Sequence, residues 1–156
     1  MSKYLSQHLN FRIGLAPDAD AWGADPATDV VDLSEYEKVS FVVMHAAGAT
    51  GTAVVTVEAC TLADGTGAAA IPFMYRKHGF TAAVGALTAV AATGVTIAAG
   101  ANQLLIAEVK SDDLPDGKPF VRVQITEGVD DPVDGAVLIV MGGARYSSGD
   151  PAAALA

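Results

Sequence analysis

The clearest pattern along the chain is an alternation of apolar and polar residues with a period of two, over residues 35–60. Alternating β-branched and aromatic residues are typical of a strand with one face in a hydrophobic core. We therefore predict two strands here, forming a hairpin around a loop rich in alanine, glycine and threonine. The predicted core residues of this hairpin are Val39, Phe41, Val43, Val55 and Val57.

The second face of the predicted hairpin is also apolar. Val42, Met44 and Val54 lie where a solvent-facing strand would carry polar side chains. We expect this face to be covered by the N-terminal residues or to pack against another subunit, so these three are candidate interface residues.

Further strands follow along the chain, separated by turn signals such as DDLPDG and GVDDPVDG. The predicted segments are ATDVVDL (27–33), IPFMYRKH (71–78), NQLLIAEVK (102–110), PFVRVQITE (119–127) and GAVLIVMGG (135–143). Residues 80–100 predict only short strands and loops. Pro72 cannot donate a ladder hydrogen bond, which favours a sheet edge or an exposed strand start. Seven or eight strands without a strong helix predict an all-β, single-domain β-sandwich or jelly-roll-like barrel.

Both ends of the chain are predicted to be extended arms. Residues 1–26 are interrupted by proline and glycine and predict an N-terminal arm, residues 27–146 the β-sandwich domain, and residues 147–156 a flexible C-terminal tail. Trp22, the single tryptophan, lies within the N-terminal arm. We expect it to plug the arm onto its own domain or, alternatively, to anchor the arm on a neighbouring subunit.

Composition and charge limit the classes of binding partner that we expect. The chain has 156 residues, 51% of them hydrophobic, which is enough for one core. Its net charge of −9 would repel a phosphate backbone and anionic membranes, so neither nucleic acid nor a membrane is an expected partner. Residues 81–107 carry no charge, but glycine, threonine and amide residues interrupt them too often for a membrane span. The N-terminus lacks the apolar core of a signal peptide, so we expect synthesis in the cytoplasm.

Candidate chemistry is sparse. The single cysteine, Cys60, follows an apolar strand and predicts a buried, inert thiol. The spacing of Asp18, Asp20 and Asp29 resembles a calcium loop, but a tryptophan occupies a ligand position and the final bidentate glutamate is lacking. The three histidines do not have zinc-motif spacing, and no nucleophile elbow or phosphate loop occurs. We therefore predict no catalytic residue, metal ligand or cofactor, and a protein that is not an enzyme.

One cluster of positive charge stands out in this acidic chain. Arg76, Lys77 and His78 follow one another in a predicted strand. They could act as gatekeepers that keep an edge strand from pairing with other chains. They could equally form a docking patch for an acidic neighbour, including another copy of this chain, and are candidate interface residues.

Three segments together resemble small structural proteins encoded in the head-gene region of tailed bacteriophages. They are EYEKVSFVVMHAAGATGTAVVTVEAC, IPFMYRKH and EVKSDDLPDGKPFVRVQITEGVDDPVDGAVLIVMGGARY, so the resemblance covers roughly residues 27–146. The family is similar to capsid decoration, or cement, proteins. It implies an all-β subunit without catalytic residues, found as a trimer on the outer capsid surface of the virion after synthesis in the host bacterial cytoplasm.

The resemblance thus implies a protein that stabilises the capsid by bridging neighbouring subunits of the major capsid protein. The chain would be a homo-oligomer, with a trimer expected. One alternative is a tail-tube or head-tail joining protein, which forms rings. A further alternative is a carbohydrate-binding or adhesion module, which the aromatic content of 6% disfavours because sugar platforms rely on exposed aromatic side chains.

Overall fold

The structure is a computed structural model and describes residues 4–48, 50–79, 83–98, 100 and 102–145. Eleven strands account for most of the described chain, and two single-turn 3-10 helices lie at Leu5–Gln7 and Ser111–Asp113. The strands are β1 Leu9–Asp18, β2 Val31–Asp32, β3 Tyr36–His45, β4 Thr52–Cys60, β5 Ala69–Ile71, β6 Phe73–Gly79, β7 Thr88–Val90, β8 Val95–Ile97, β9 Gln103–Lys110, β10 Phe120–Val129 and β11 Gly135–Ala144.

Two antiparallel sheets pack as a sandwich. The six-stranded sheet has the order β1-β11-β3-β9-β6-β7, and the other sheet has the order β2-β10-β4-β5, with β8 also paired to β4. The predicted all-β sandwich is therefore confirmed. The strand number exceeds the expected seven or eight because β1 was expected to be part of an arm, and because β5, β7 and β8 have only three residues each, which is too short for a readable period.

The core fills the space between the two sheets. All five predicted core residues of the 35–60 stretch are at most 1% exposed, as are the alternating residues Val121, Val123 and Ile125 of β10. The sequence period thus identified the inward face of each long strand correctly, because successive side chains of a strand point to opposite faces.

The predicted hairpin is wrong in its pairing. β3 lies between β11 and β9 in the six-stranded sheet, whereas β4 lies between β10 and β5 in the other sheet. The loop between β3 and β4 therefore crosses from one sheet to the other. A period of two fixes which face is buried but does not determine which strand lies alongside, so either arrangement satisfies the pattern.

Ten of the residues expected to form the N-terminal arm (1–26), Leu9–Asp18, instead form an edge strand of the six-stranded sheet. β1 pairs with β11 along its length, from Leu9 opposite Gly142 to Asp18 opposite Gly135. Register shifts after Ile13 and Leu15 interrupt the alternation, which is why the pattern was not recognised. The tail expected over residues 147–156 lies outside the described residues.

Pro72 marks a second crossing between the sheets. It separates β5, which pairs with β4, from β6, which pairs with β9. A residue without an N–H fits this break in the ladder, since no hydrogen bond is lost there. β6 itself is not an edge strand, because β7 pairs with its first half. No helix in the described part of the chain is long and apolar enough to span a membrane.

Candidate assembly surface

The side of the six-stranded sheet that faces away from the core is mostly apolar, and we call it the outer face. Its polar members are Ser40, Glu108, Arg76 and His78. The register aligns its side chains in rows across five strands: Leu138 lies opposite both Ile13 and Val42, and Val42 opposite Ile106. The apolar members of the outer face are Phe11, Ile13, Val42, Met44, Met74, Leu104, Ile106, Ala136, Leu138 and Val140.

Several of these side chains are exposed to an extent unusual for large apolar residues. Ile13 is 64% exposed, Phe11 43% and Met44 41%, while Val42 and Leu138, flanked by neighbouring strands, are half-buried. At ordinary strand spacing, five strands and three rows span roughly 400 Å². About two-thirds of this area is apolar, which is close to the size of the largest apolar patch on a typical monomer, and such patches are often functional.

The outward side of the other sheet is polar by contrast. Threonines occupy its β4, β8 and β10 rows, and Arg122 Nε donates to Glu58 Oε2 at 2.8 Å in an ion pair across β10 and β4. Val54 lies on this side, opposite Thr126 and Thr96. Val54 therefore does not lie beside Val42 and Met44. The outward side of this sheet is polar, whereas that of the six-stranded sheet is mostly apolar.

The basic cluster is divided by the pleat of β6. Arg76 and His78 lie on the outer face, opposite Ile106 and Leu104. Lys77 points to the other side, where its Nζ donates to the carbonyl oxygen of Thr96 at 2.5 Å, and burial lowers the pKa of this amine. Of the three residues of this cluster, only Arg76 and His78 are therefore placed to meet a partner at the outer face.

A concavity of about 890 Å³ lies at the end of the outer face. Met44, Leu104 and Ala136 form its apolar wall, and His45 and His78 are also among the lining residues. We call it the end cavity. It lies where β3 and β6 end and where β9 and β11 begin, so it continues the outer face at one end of the sheet.

His45 is held beside the end cavity by Trp22. The indole Nε1–H donates to His45 Nδ1 at 3.0 Å, and the two rings are parallel within 1°. His45 is only 2% exposed, and burial lowers its pKa, which favours the neutral imidazole. Since Nδ1 accepts, the proton of the neutral ring lies on Nε2. That buried Nε2 has no hydrogen-bond partner among the described residues, and neither has the buried Nε2 of His78.

Trp22 is 2% exposed and packs in the core of its own chain. The structure therefore agrees with the plug interpretation and not with an anchor on a neighbouring subunit. Of the seven candidate interface residues, Val42, Met44, Arg76 and His78 lie together, while Trp22, Val54 and Lys77 lie elsewhere.

Sequence reasoning missed most of the outer face. Four of its residues were assigned to strands, but they were not recognised as facing away from the core: Leu104, Ile106, Leu138 and Val140. The signal was present, because a fully apolar run such as that in β11 indicates either a strand covered on both faces or one with an apolar outward side. Leu138 and Val140 are only half-buried, so the run instead reflects an apolar outward side.

Metal and thiol chemistry add nothing to this surface. In residues 4–48, 50–79, 83–98, 100 and 102–145, no three His, Cys, Asp or Glu side chains are grouped to hold a metal ion. Cys60 is buried, and burial is the largest of the effects that raise the pKa of its thiol, as predicted.

Comparison with known proteins gives little beyond the geometry. Neither a family model nor a curated protein matches the sequence. Among solved structures, the chain is similar to the crystal structure of SPBc2 prophage-derived protein YomS, with 7% identity and a TM-score of 0.48. The aligned region covers 85% of this chain and 91% of that chain. At this TM-score the likeness carries no argument about fold or function.

Proposed function

We propose that this chain is a non-enzymatic structural protein of a tailed-phage particle, which decorates the capsid and stabilises it by bridging neighbouring capsid subunits as a trimer. The single observation that carries an assembly role is the outer face. A sandwich with one polar outward side and one apolar outward side is suited to resting on another protein with its apolar side.

The energetics of the outer face favour binding at several sites together. About two-thirds of the roughly 400 Å² is apolar, and covering that part contributes about 7 kcal/mol at the usual 25 cal/mol per Å². Loss of translational and rotational freedom costs about 4–15 kcal/mol and offsets most of that gain. One face alone therefore binds weakly, whereas a trimer that places three faces on one shell gains avidity without new contacts.

The proposed position on the outer capsid surface comes from the resemblance to decoration proteins and not from the geometry. In this proposal the partner is the major capsid protein, and the polar side faces outward from the shell. A net charge of −9 fits that orientation, because like-charged particles repel one another, and it disfavours contacts with nucleic acid or anionic membranes.

Binding to undecorated shells tests the proposal, with a matched pair of substitutions. Val42→Thr and Val54→Thr make the same chemical change on half-buried strand positions, one on the outer face and one on the polar side. Both should leave the fold intact. Val42→Thr should weaken co-sedimentation with shells about fivefold per contact, and Val54→Thr should bind as the unmodified protein does.

Ile13→Asp supplies a stronger variant, since it places a charge in the most exposed part of the outer face. It should abolish shell binding and the gain in heat resistance of the shells. Equal effects of the two valine variants, or no binding by the unmodified protein, would contradict the proposal. A stable hexameric ring in solution would instead favour a tail-tube or head-tail joining protein.

A further inference from the structure

We infer that the outer face docks against an acidic patch of a shell subunit, whose carboxylates meet Lys38, Lys110 and Arg76. The inference deepens the proposed function, on which it rests for the shell as the partner. It adds the charge that the partner's contact surface carries, which the apolar character of the outer face does not specify.

A pair of lysines borders the outer face at the end away from the end cavity. Lys38 of β3 lies opposite Lys110 of β9, in the row next to Ser40 and Glu108. Val39 is 1% exposed in the core, so Lys38, one position earlier, points to the outward side of the sheet. A Cβ atom at Gly142 would lie 3.3 Å from Lys38 Cε, so the lysine stem lies beside this glycine of β11 on the same side.

This lysine pair is unfavourable for the isolated fold. Like charges directly opposite one another on neighbouring strands are destabilising. Glu37 and Asp112 line the same hollow as the two lysines, but neither is within ion-pair distance of them. A carboxylate brought by a partner would relieve the repulsion between Lys38 and Lys110, and no described group of this chain does so.

Cations are concentrated at the outer face of this acidic chain. Lys38, Lys110 and Arg76 are three of its nine lysines and arginines, and none of them forms an ion pair with a described residue. Glu108 is the one carboxylate of its 18 among them, and it accepts a hydrogen bond from Ser40 Oγ at 3.1 Å. A surface with this excess of positive charge attracts an acidic partner, whereas the chain as a whole, at −9, would repel one.

The acidic residues near the outer face lie at its other end. Asp18 and Asp134 line the end cavity, so the cations and these carboxylates are at opposite ends of the sheet. Two outer faces packed together could pair these ends, but they would bury only roughly 800 Å² in total, less than the 1,200–2,000 Å² of stable complexes. A shell with repeated acidic patches is favoured as the partner, because a trimer can contact several of them at once.

Lysine side chains suit the border of such a contact. Their stems cover apolar surface while the ammonium groups reach outward to a carboxylate. Ion pairs at the rim of an interface mainly increase the association rate and make it depend on salt. The apolar centre of the outer face then supplies the affinity, and the three cations select the patch on which it rests.

A matched pair of substitutions tests the role of the lysines. Lys110→Gln and Lys118→Gln each remove one positive charge, but Lys118 lies in the turn before β10, where its Nζ donates to the carbonyl oxygen of Gly67 at 2.6 Å. In co-sedimentation with undecorated shells at low salt, Lys110→Gln should bind about threefold more weakly, and Lys118→Gln should bind as the unmodified protein does. Raising the salt to about 0.5 M should remove the difference.

Lys38→Glu separates stability from binding. It places opposite charges across β3 and β9 instead of like charges, so the midpoint of thermal unfolding should rise by about 1–3 °C. Binding to shells at low salt should fall more than tenfold, because an attraction to the partner becomes a repulsion. An unchanged or lower midpoint, or unchanged binding, would overturn the inference.

Shells with amidated surface carboxylates test the partner's side of the contact. They should bind the unmodified protein about tenfold more weakly than untreated shells and should no longer distinguish Lys110→Gln from Lys118→Gln. Equal binding to both kinds of shell would overturn the inference and leave the proposed function standing. No binding to untreated shells would contradict both.

Two other occupants of the outer face have their own signatures. A fall in the solution mass of Lys38→Glu would mean that a second copy covers the lysines. Retention of DNA by the unmodified protein, lost in Lys38→Glu, would mean that the partner is a nucleic acid. Either result would overturn the inference.

Discussion

Trp22 and His45 show how one hydrogen bond determines the state of a buried group. Because the indole N–H can only donate, it requires an acceptor at His45 Nδ1 and so opposes protonation of the imidazole. Burial acts in the same direction, lowering the pKa below its ordinary 6.5. His45 therefore has a packing and hydrogen-bonding role. The partner could not be foreseen, since 23 residues separate the two.

This lowered pKa predicts acid sensitivity at mildly acidic pH. In the unfolded chain the imidazole takes up a proton near pH 6.5, whereas the folded chain resists until a lower pH. The stabilisation is therefore complete above pH 6.5 and is lost as the pH falls towards the folded pKa. The free energy of unfolding should decline there with a slope of at most about 1.4 kcal/mol per pH unit.

Denaturant titrations followed by Trp22 fluorescence between pH 7.5 and pH 5 would measure this slope. His45→Gln should remove it, whereas His8→Gln, at an exposed position, should retain it. An unchanged slope in His45→Gln would contradict the assignment.

Individual elements were foreseen from the sequence where their alternation is long and uninterrupted. β3, β4, β6, β9, β10 and β11 all correspond to predicted segments. Which strands pair with one another was not foreseen, because strand pairing depends on contacts between residues far apart in the chain. β1 was missed because its register shifts disguise the period.

The same limit applies to the candidate site. Val42 and Met44 were recognised from their apolar character on an expected solvent face. Val54 has the same local pattern, but its strand lies in the other sheet, so only the pairing distinguishes an outer-face residue from an isolated valine on a polar side.

Asp131, in the turn between β10 and β11, is hydrogen-bonded to the loop between β3 and β4. Its Oδ2 accepts from the backbone N–H of Thr50 at 3.0 Å, from Thr50 Oγ1–H at 3.1 Å and from the N–H of Gly51 at 3.2 Å. These bonds, with the Thr50 backbone bond foremost, hold the pKa of the Asp131 carboxyl below its usual value. The acidic turn between β10 and β11 therefore has a structural role in fixing the crossing between β3 and β4.

Removing this carboxylate should loosen the crossing loop without unfolding the sandwich. Asp131→Ala should increase hydrogen exchange at the amide of Gly51 about tenfold, since one charge-assisted bond is lost there. A lowered pKa gives stabilisation that is present above the ordinary value of 3.8 and lost as the pH falls below it, so acidification of the unmodified protein should reproduce the variant. Asp130→Ala removes the same charge from the same turn and should leave Gly51 protected.

For the molecule as a whole, the decisive feature is the difference in polarity between the outward sides of the two sheets. Each sheet needs one apolar side to form the core, and only the six-stranded sheet has a second one. β1 extends that second side with Phe11 and Ile13. The N-terminal region thus belongs both to the fold and to the surface proposed for assembly, and truncation can separate these two roles.

Deleting residues 1–26 should destroy the fold, whereas deleting residues 1–8 should not. The longer deletion uncovers the edge of β11 and removes the buried Trp22, a loss of about 3–5 kcal/mol for the tryptophan alone. Since a domain of this size is stable by about 5–15 kcal/mol, the remainder should be unfolded or insoluble. The shorter deletion removes residues that precede β1, of which the described residues 4–8 are exposed, so the free energy of unfolding should change by less than about 1 kcal/mol. Urea unfolding and solution mass, measured on both truncations, check these expectations. Native-like melting of the longer truncation would mean that β1 contributes little to the sandwich and acts as an arm after all.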